Sequence, residues 1–205
     1  MFNKSMPDDA TRDDFDGSFR GRPRDPATDK AILEAAFELL AERGVQGMTM
    51  QAVAKRAGVA RATLYRRWSS ASDLALSSLL RHASRAVPIP DSGSLDSDMR
   101  TLLNAAFLDL RGPTGHLLRS LMADAQRDAA LATEFYQRFL VSRRNVLKIL
   151  LNRAVARGEL PADVNQEFLA DLVYGIMWYR LLVRHAPLDG TLVTELLDAL
   201  KRYKK

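Results

Sequence analysis

The sequence predicts an all-α protein in two helical parts, and three observations carry that expectation. Apolar residues recur at helical spacing from Ile32 to Leu200, with no alternating strand pattern beside them. Glycine and proline fall between these periodic runs as stops, at Gly44, Gly58, Gly112-Pro113, Gly158 and Pro187. The run from Thr49 to Trp68, TMQAVAKRAGVARATLYRRW, spells a helix, a tight turn around a glycine and a second helix.

The elements follow in order. A helix from Thr28 to Arg43 carries Ile32, Leu33, Ala36, Phe37 and Leu40 on one stripe, and Gly44 can end it. Thr49 is the N-cap of the next helix, because its hydroxyl can accept from a free first-turn N–H. Val53, Ala54 and Ala57 give that helix a small-residue inner face, which lets its neighbour approach closely. Gly58 sits where the backbone must turn left-handed, and Val59 can plug the corner. Leu64 and Trp68, four apart, bury one side of the following helix. Arg61, Thr63, Tyr65, Arg66 and Arg67 are then left for its other faces.

That composition suits a helix lying in a DNA major groove: guanidinium forks pair with guanine edges or phosphates, and short hydroxyls settle on phosphate. Charge supports it. Residues 1–19 hold two basic and five acidic side chains, 20–85 twelve and six, and 86–205 sixteen and fourteen. The basic excess therefore sits on the segment that holds the motif, as a phosphate-binding surface requires. Arg20, Arg22 and Arg24 form a basic arm, with Gly21 and Pro23 between them, that can reach into an adjacent minor groove. Residues 1–19, with Asp8, Asp9, Asp13, Asp14 and Asp16, read as a disordered acidic tail.

From Arg20 to about Leu80 the chain resembles the N-terminal domain of the tetracycline-repressor (TetR) family of bacterial transcription regulators, in AILEAAFELLAERG, MTM and AGVARATLYRRW. The resemblance implies that Thr49 and Gln51 begin a support helix near the DNA backbone. It implies further that Arg61, Ala62 and Thr63 face bases and phosphates, and that Tyr65, Arg66 and Arg67 hold phosphates. Two departures stand out. Ala60 replaces a frequent capping serine, and Ala71 replaces a frequent lysine. Arg66-Arg67 stands where an aromatic-histidine ending is common.

Beyond Arg85, AVPIPDSGSLDSD reads as a linker. Helices are expected from Leu95 to Arg111, from His116 to Arg127 after a Gly112-Pro113-Thr114-Gly115 break, and from Ala130 to Arg157. Pro161 and Asp163 open a further one reaching His185, and the last runs from Leu192 to Tyr203. Between Phe168 and Val183 only Asp171 and Arg180 are charged, so this helix must be covered on two sides. The final helix adds a broad stripe of Leu192, Val193, Leu196, Leu197 and Leu200. Two such helices from each of two chains make a four-helix interface, with Phe168, Leu172, Ile176, Leu192, Leu196 and Leu200 at the seam, and the resemblance implies a homodimer too. It also implies a small-molecule pocket in the second part. Phe107, His116, Met122, Phe139, Leu147, Tyr174, Met177 and Trp178 are the candidates for its wall.

Other chemistries find little support. His82, His116 and His185 lie far apart with no acidic partner at metal-ligand spacing, and HExxH, GxSxG and a Gly-rich phosphate loop are all missing. No enzyme activity, metal or cofactor is expected. The chain has no cysteine, no apolar run of the roughly 20 residues that span a bilayer, and an acidic, polar N-terminus unlike a signal peptide. A bacterial cytoplasm, at the nucleoid, is the expected place.

The expectation is thus a helix-turn-helix domain over 20–85 and a helical effector-binding and dimerisation domain over 86–205. Its partners are a palindromic double-stranded operator and a small, largely apolar effector that releases it, as for a repressor. Two alternatives remain open at this point. A sequence-tolerant architectural nucleoid protein would show a steep salt slope and little operator preference. A helical protein-interaction scaffold would bind no DNA.

Overall fold

The computed structural model describes residues 26–84 and 89–202, apart from the side chains of residues 45, 46 and 84. The arm with Arg20, Arg22 and Arg24, the acidic tail before it and Tyr203 lie outside the described residues. Every regular element among the described residues is helical.

Helix α1 spans Pro26–Gly47 but leaves helical geometry at Gly44 (φ 66°, ψ −175°), where the sequence places its stop. Thr49 caps α2 (Met50–Ala57) through a 3.1 Å bond that its hydroxyl accepts from the Ala52 N–H. Gly58 is left-handed (φ 66°, ψ 32°), and its N–H closes the end of α2 onto Ala54 and Lys55 carbonyls. Helix α3 is short, Arg61–Tyr65, and a further turn carries it to Trp68, whose N–H donates to the Leu64 carbonyl at 2.9 Å. Ala60, at its N-cap, supplies no side-chain bond. Helix α4 (Ala71–Ser84) recovers a proper start: the Asp73 N–H donates to Ser70 Oγ, and the Asp73 carboxylate accepts from the Ser69 N–H, both at 3.0 Å. Ile32, Ala36, Leu39, Leu40, Val53, Leu64, Trp68, Leu74 and Leu79 fill the space between these helices.

The second part begins with α5 (Leu95–Leu110) and α6 (Pro113–Ala125). The break between them is shorter than the sequence suggests, because Pro113 takes the first position of α6, where its missing N–H costs nothing. The corner is tight enough that a Cβ on Gly115 would run into the Leu110 carbonyl. Helical propensity alone favours alanine over glycine by about 1 kcal/mol. Here the clash reverses the sign: Gly115→Ala is expected to destabilise the protein by about 1 to 3 kcal/mol. Thermal unfolding followed by circular dichroism measures it, and a raised melting temperature would show the corner to be loose.

Asp128 caps α7 (Ala129–Phe135), accepting from the Ala130 and Leu131 N–H groups at 3.0 Å. The expected single helix from Ala130 to Arg157 is interrupted by one wide π turn, Tyr136–Leu140, before α8 (Val141–Ala156). Helix α9 (Gln166–Val183) starts later than Pro161 because Asn165 is its cap, accepting from the Phe168 N–H at 3.0 Å. It ends at Arg184 in the left-handed region (φ 61°). Asp189 caps α10 (Gly190–Lys201), two residues ahead of the expected start.

Helix α6 packs against α1, α4 and α5, and the buried residues form one cluster from Ile32 to Leu200, so the two parts share a core. The linker is held too. The Arg153 guanidinium donates to the Pro90 carbonyl at 2.8 Å, and the Ser92 N–H donates to the fully buried Asp98 at 2.7 Å.

The expected seam needs one correction. Leu192, Leu196 and Leu200, with Val193 and Leu197, are buried within the chain's own core, where α10 packs on α5. A stripe on a terminal helix does not reveal which neighbour covers it, and here the neighbour is internal. Helix α9 is two-faced as expected. Leu169, Ala170, Val173, Met177 and Leu181 point inward, while Tyr179, Leu182 and Val183 are exposed, Phe168 is 48% exposed, and Leu172 and Ile176 are partly buried.

Candidate DNA-binding face and second-domain cavity

The cap at Thr49 and the left-handed Gly58 fix α2 and α3 as one unit, with Leu64 and Trp68 inward. Gln51, Arg61, Ala62, Tyr65 and Arg66 are consequently solvent-exposed, as is Thr49, and Thr63 is half-buried. The Arg61 guanidinium lies over the Tyr65 ring, 6.0 Å from its centre. Lys55, at the end of α2, adds an exposed cation that the sequence did not single out. Arg56 is different: it forks onto Glu42 of α1 with two 2.6 Å bonds, which hold the Glu42 carboxyl below its usual range.

Arg67 also departs from expectation. Its side chain is 14% exposed and paired with Asp29 in the first turn of α1, so it clamps the end of α3 to α1 instead of standing free for phosphate. Two adjacent arginines on a helix point about 100° apart, and only one can follow the outer face.

A cavity of about 520 Å³ lies in the second part, within the range of small-molecule sites. Four of the expected wall residues line it: Phe139, Tyr174, Met177 and Trp178. The other four do not. Phe107 and Leu147 are fully packed core, Met122 is half-buried outside the wall, and His116 is exposed on α6. The space opens where α5 presents small residues, Ala105 and Ala106, which periodicity cannot flag.

Sequence reasoning missed the polar part of this wall. Leu79, His82 and Ala83 of α4 reach the cavity, so the helix that follows the helix-turn-helix is part of it. His82 stacks on Phe37 of α1, with ring centres 4.1 Å apart, and its Nε2 lies 3.2 Å from Asp109 of α5. Asp109 also accepts from the Thr114 hydroxyl at 2.9 Å. The Tyr174 hydroxyl donates to the Arg143 carbonyl at 2.7 Å, and burial pushes this phenol up to about 12 despite the nearby Arg143 and Arg144 charges.

A helix-turn-helix whose exposed face is basic, joined through one core to a helical unit with a cavity, is the architecture of a DNA-binding transcriptional regulator. Comparison with known proteins agrees. Residues 32–77 match the profile of bacterial regulatory proteins of the tetR family, and residues 89–200 match the tetracyclin repressor-like C-terminal domain. The chain is similar to the HTH-type transcriptional regulator YdeS of Bacillus subtilis, at 37% identity over 88% of this chain and 91% of that one. It is similar also to the DNA-binding transcriptional repressor TetR of Mycobacteroides abscessus, at 27% identity over 82% and 88%. Among solved structures, the TetR family transcription regulator SCO0332 superposes with a TM-score of 0.77 at 32% identity, covering 85% of this chain and 97% of that one. The chain belongs to the TetR family of transcriptional regulators, which sets aside the architectural and scaffold alternatives.

Proposed function

We propose that this chain is a homodimeric repressor that binds a palindromic operator and releases it when a small, largely apolar molecule enters the cavity. Residues 20–85 make the DNA-binding part, and 86–205 the effector-binding and dimerising part. It works in the bacterial cytoplasm, on the nucleoid. Arg61, Ala62 and Thr63 are placed at bases and neighbouring phosphates, and Thr49, Gln51, Tyr65 and Arg66 at the backbone, with the arm of Arg20, Arg22 and Arg24 in the adjacent minor groove. The outer face of α9, with Phe168, Leu172, Ile176 and Tyr179, makes the seam with the second copy.

The observation that carries the switch is the cavity wall itself. Leu79, His82 and Ala83 belong to α4, which packs along α1 behind the helix-turn-helix. A molecule that fills the cavity therefore presses on the element that sets the position of α3. In a dimer this changes the separation of two recognition helices, which must match half-sites about 34 to 36 Å apart. The effector moves the equilibrium only by its differential affinity for the two spacings.

Selection of bound genomic fragments with the purified full chain tests the first half. An inverted repeat with half-sites about 10 base pairs apart, centre to centre, is the expected result. Fragments that share no repeat, bound with a steep salt dependence alone, would overturn the operator reading.

A further inference from the structure

The cavity is apolar over most of its wall, and several of its polar groups already have hydrogen-bond partners. Thr101 donates its hydroxyl to the Ser97 carbonyl, Thr114 to Asp109, and Tyr174 to the Arg143 carbonyl. The one carboxylate on the wall, Asp109, has both a hydroxyl donor and the His82 ring beside it. Arg143 differs in holding a buried N–H without a partner. Its guanidinium rests over the Phe139 ring at 5.4 Å and makes a single long bond, 3.3 Å, from Nη2 to the Ala83 carbonyl. Its Nε is buried with no hydrogen-bond partner, and among the described residues no carboxylate pairs with it.

An arginine cannot discharge this cost by losing its proton, as a lysine or histidine would. A half-buried cation with an idle N–H in a dry corner is instead stabilised by an incoming anion, and a charge-assisted bond there is stronger than a neutral one. The raised pKa of Tyr174 marks the same corner as poorly solvated. Asp109 already accepts a hydroxyl donor, whereas Arg143 keeps an N–H without an acceptor, so the unmet demand of the wall is for an acceptor. Position adds to this: Arg143 lies one turn beyond the wide π turn and bonds to α4, so a group that draws on its guanidinium acts at the junction with the DNA-binding part.

We propose that the cavity takes an apolar molecule bearing a single anionic group, a carboxylate or its equivalent, which accepts from the guanidinium of Arg143 while its body lies against Phe139, Met177 and Trp178. This rests on the reading of the cavity as the effector site.

The test uses the full chain and the neutral dye N-phenyl-1-naphthylamine, whose fluorescence rises in apolar sites. The dye is displaced by 2-naphthaleneacetate and, in parallel, by its neutral isostere 2-naphthaleneacetamide. The acid is expected to displace at a concentration about 10-fold or more below the amide, in keeping with a charge-assisted bond. Arg143→Gln is expected to erase that preference, read as the ratio of acid to amide displacement within the variant itself, and Arg143→Lys to keep part of it. Ala106→Trp, which fills the cavity, is expected to remove dye and both competitors together. An amide that competes as well as the acid in the unaltered protein overturns the anionic class, as does a preference that survives Arg143→Gln or Ala106→Trp. Failure of the dye to bind the unaltered protein would sink the effector-site reading itself, and this inference with it.

Discussion

Leu196→Glu is expected to prevent the second part from folding, whereas Tyr179→Glu is expected to leave it folded and split the dimer. The two residues lie on neighbouring apolar helices, yet their surroundings differ. Leu196 is 1% exposed and packed where α10 meets α5, so a carboxylate there has no water and no cation to meet. An unpaired charge at such a position costs more than about 4 kcal/mol, a large share of the 5 to 15 kcal/mol by which a domain is stable. Tyr179 is 59% exposed, on the outer face of α9 near Leu182 and Val183. A glutamate there is well hydrated in a single chain and is desolvated only when a second copy covers it. Circular dichroism and sedimentation velocity on both variants decide the matter. A folded, dimeric Tyr179→Glu protein would move the seam off this face, and a folded Leu196→Glu protein would mean that α10 is not held as the structure has it.

That contrast also shows where the sequence stops being informative. Periodicity says that a helix has an apolar stripe, but not whether the stripe meets its own chain or another; Leu192, Leu196 and Leu200 went to the core, Tyr179 and Phe168 to the surface. The helix-turn-helix was legible because its devices are local: a threonine cap, a left-handed glycine and two apolar residues four apart. Caps hidden in ordinary residues were less legible, as at Asn165 and Asp189, which moved the starts of α9 and α10. The π turn at Tyr136–Leu140 left no trace, since no glycine or proline marks it. Cavities are harder still. A pocket exists where side chains stop short, and the small Ala105 and Ala106 on α5 give no signal, whereas large residues such as Phe107 and Leu147 attract attention and turn out to be filler. Arg143 could have been noticed only as a charge beside the apolar run that follows it, and Arg144, next to it, faces outward to Glu167 and Asp171.

The other large effect is expected at the DNA face, where the pair Arg66 and Arg67 separates two roles that the sequence merges. Arg66 is exposed, whereas Arg67 is tied to Asp29 of α1. Arg66→Ala is expected to weaken binding to every DNA sequence alike and to lower the slope of log affinity against log salt by about 1, because one phosphate contact and its released counterion are lost. Arg61→Ala is expected to cost about 1 to 3 kcal/mol at the correct site and to relax the preference at one base position, since a fork on a base edge carries sequence information. With both removed, binding to the operator should fall by roughly the product of the two effects, about 100-fold or more, while the melting temperature stays put. Arg67→Ala should do the reverse. Loss of its pair with Asp29 removes about 1 to 3 kcal/mol of stability and frees the end of α3, with little change in salt slope. Filter binding across a salt series, with thermal melts of the same proteins, reads both quantities. If Arg67→Ala instead flattens the salt slope and melts where the unaltered protein does, its pair with Asp29 opens on DNA and the clamp assigned to it is wrong.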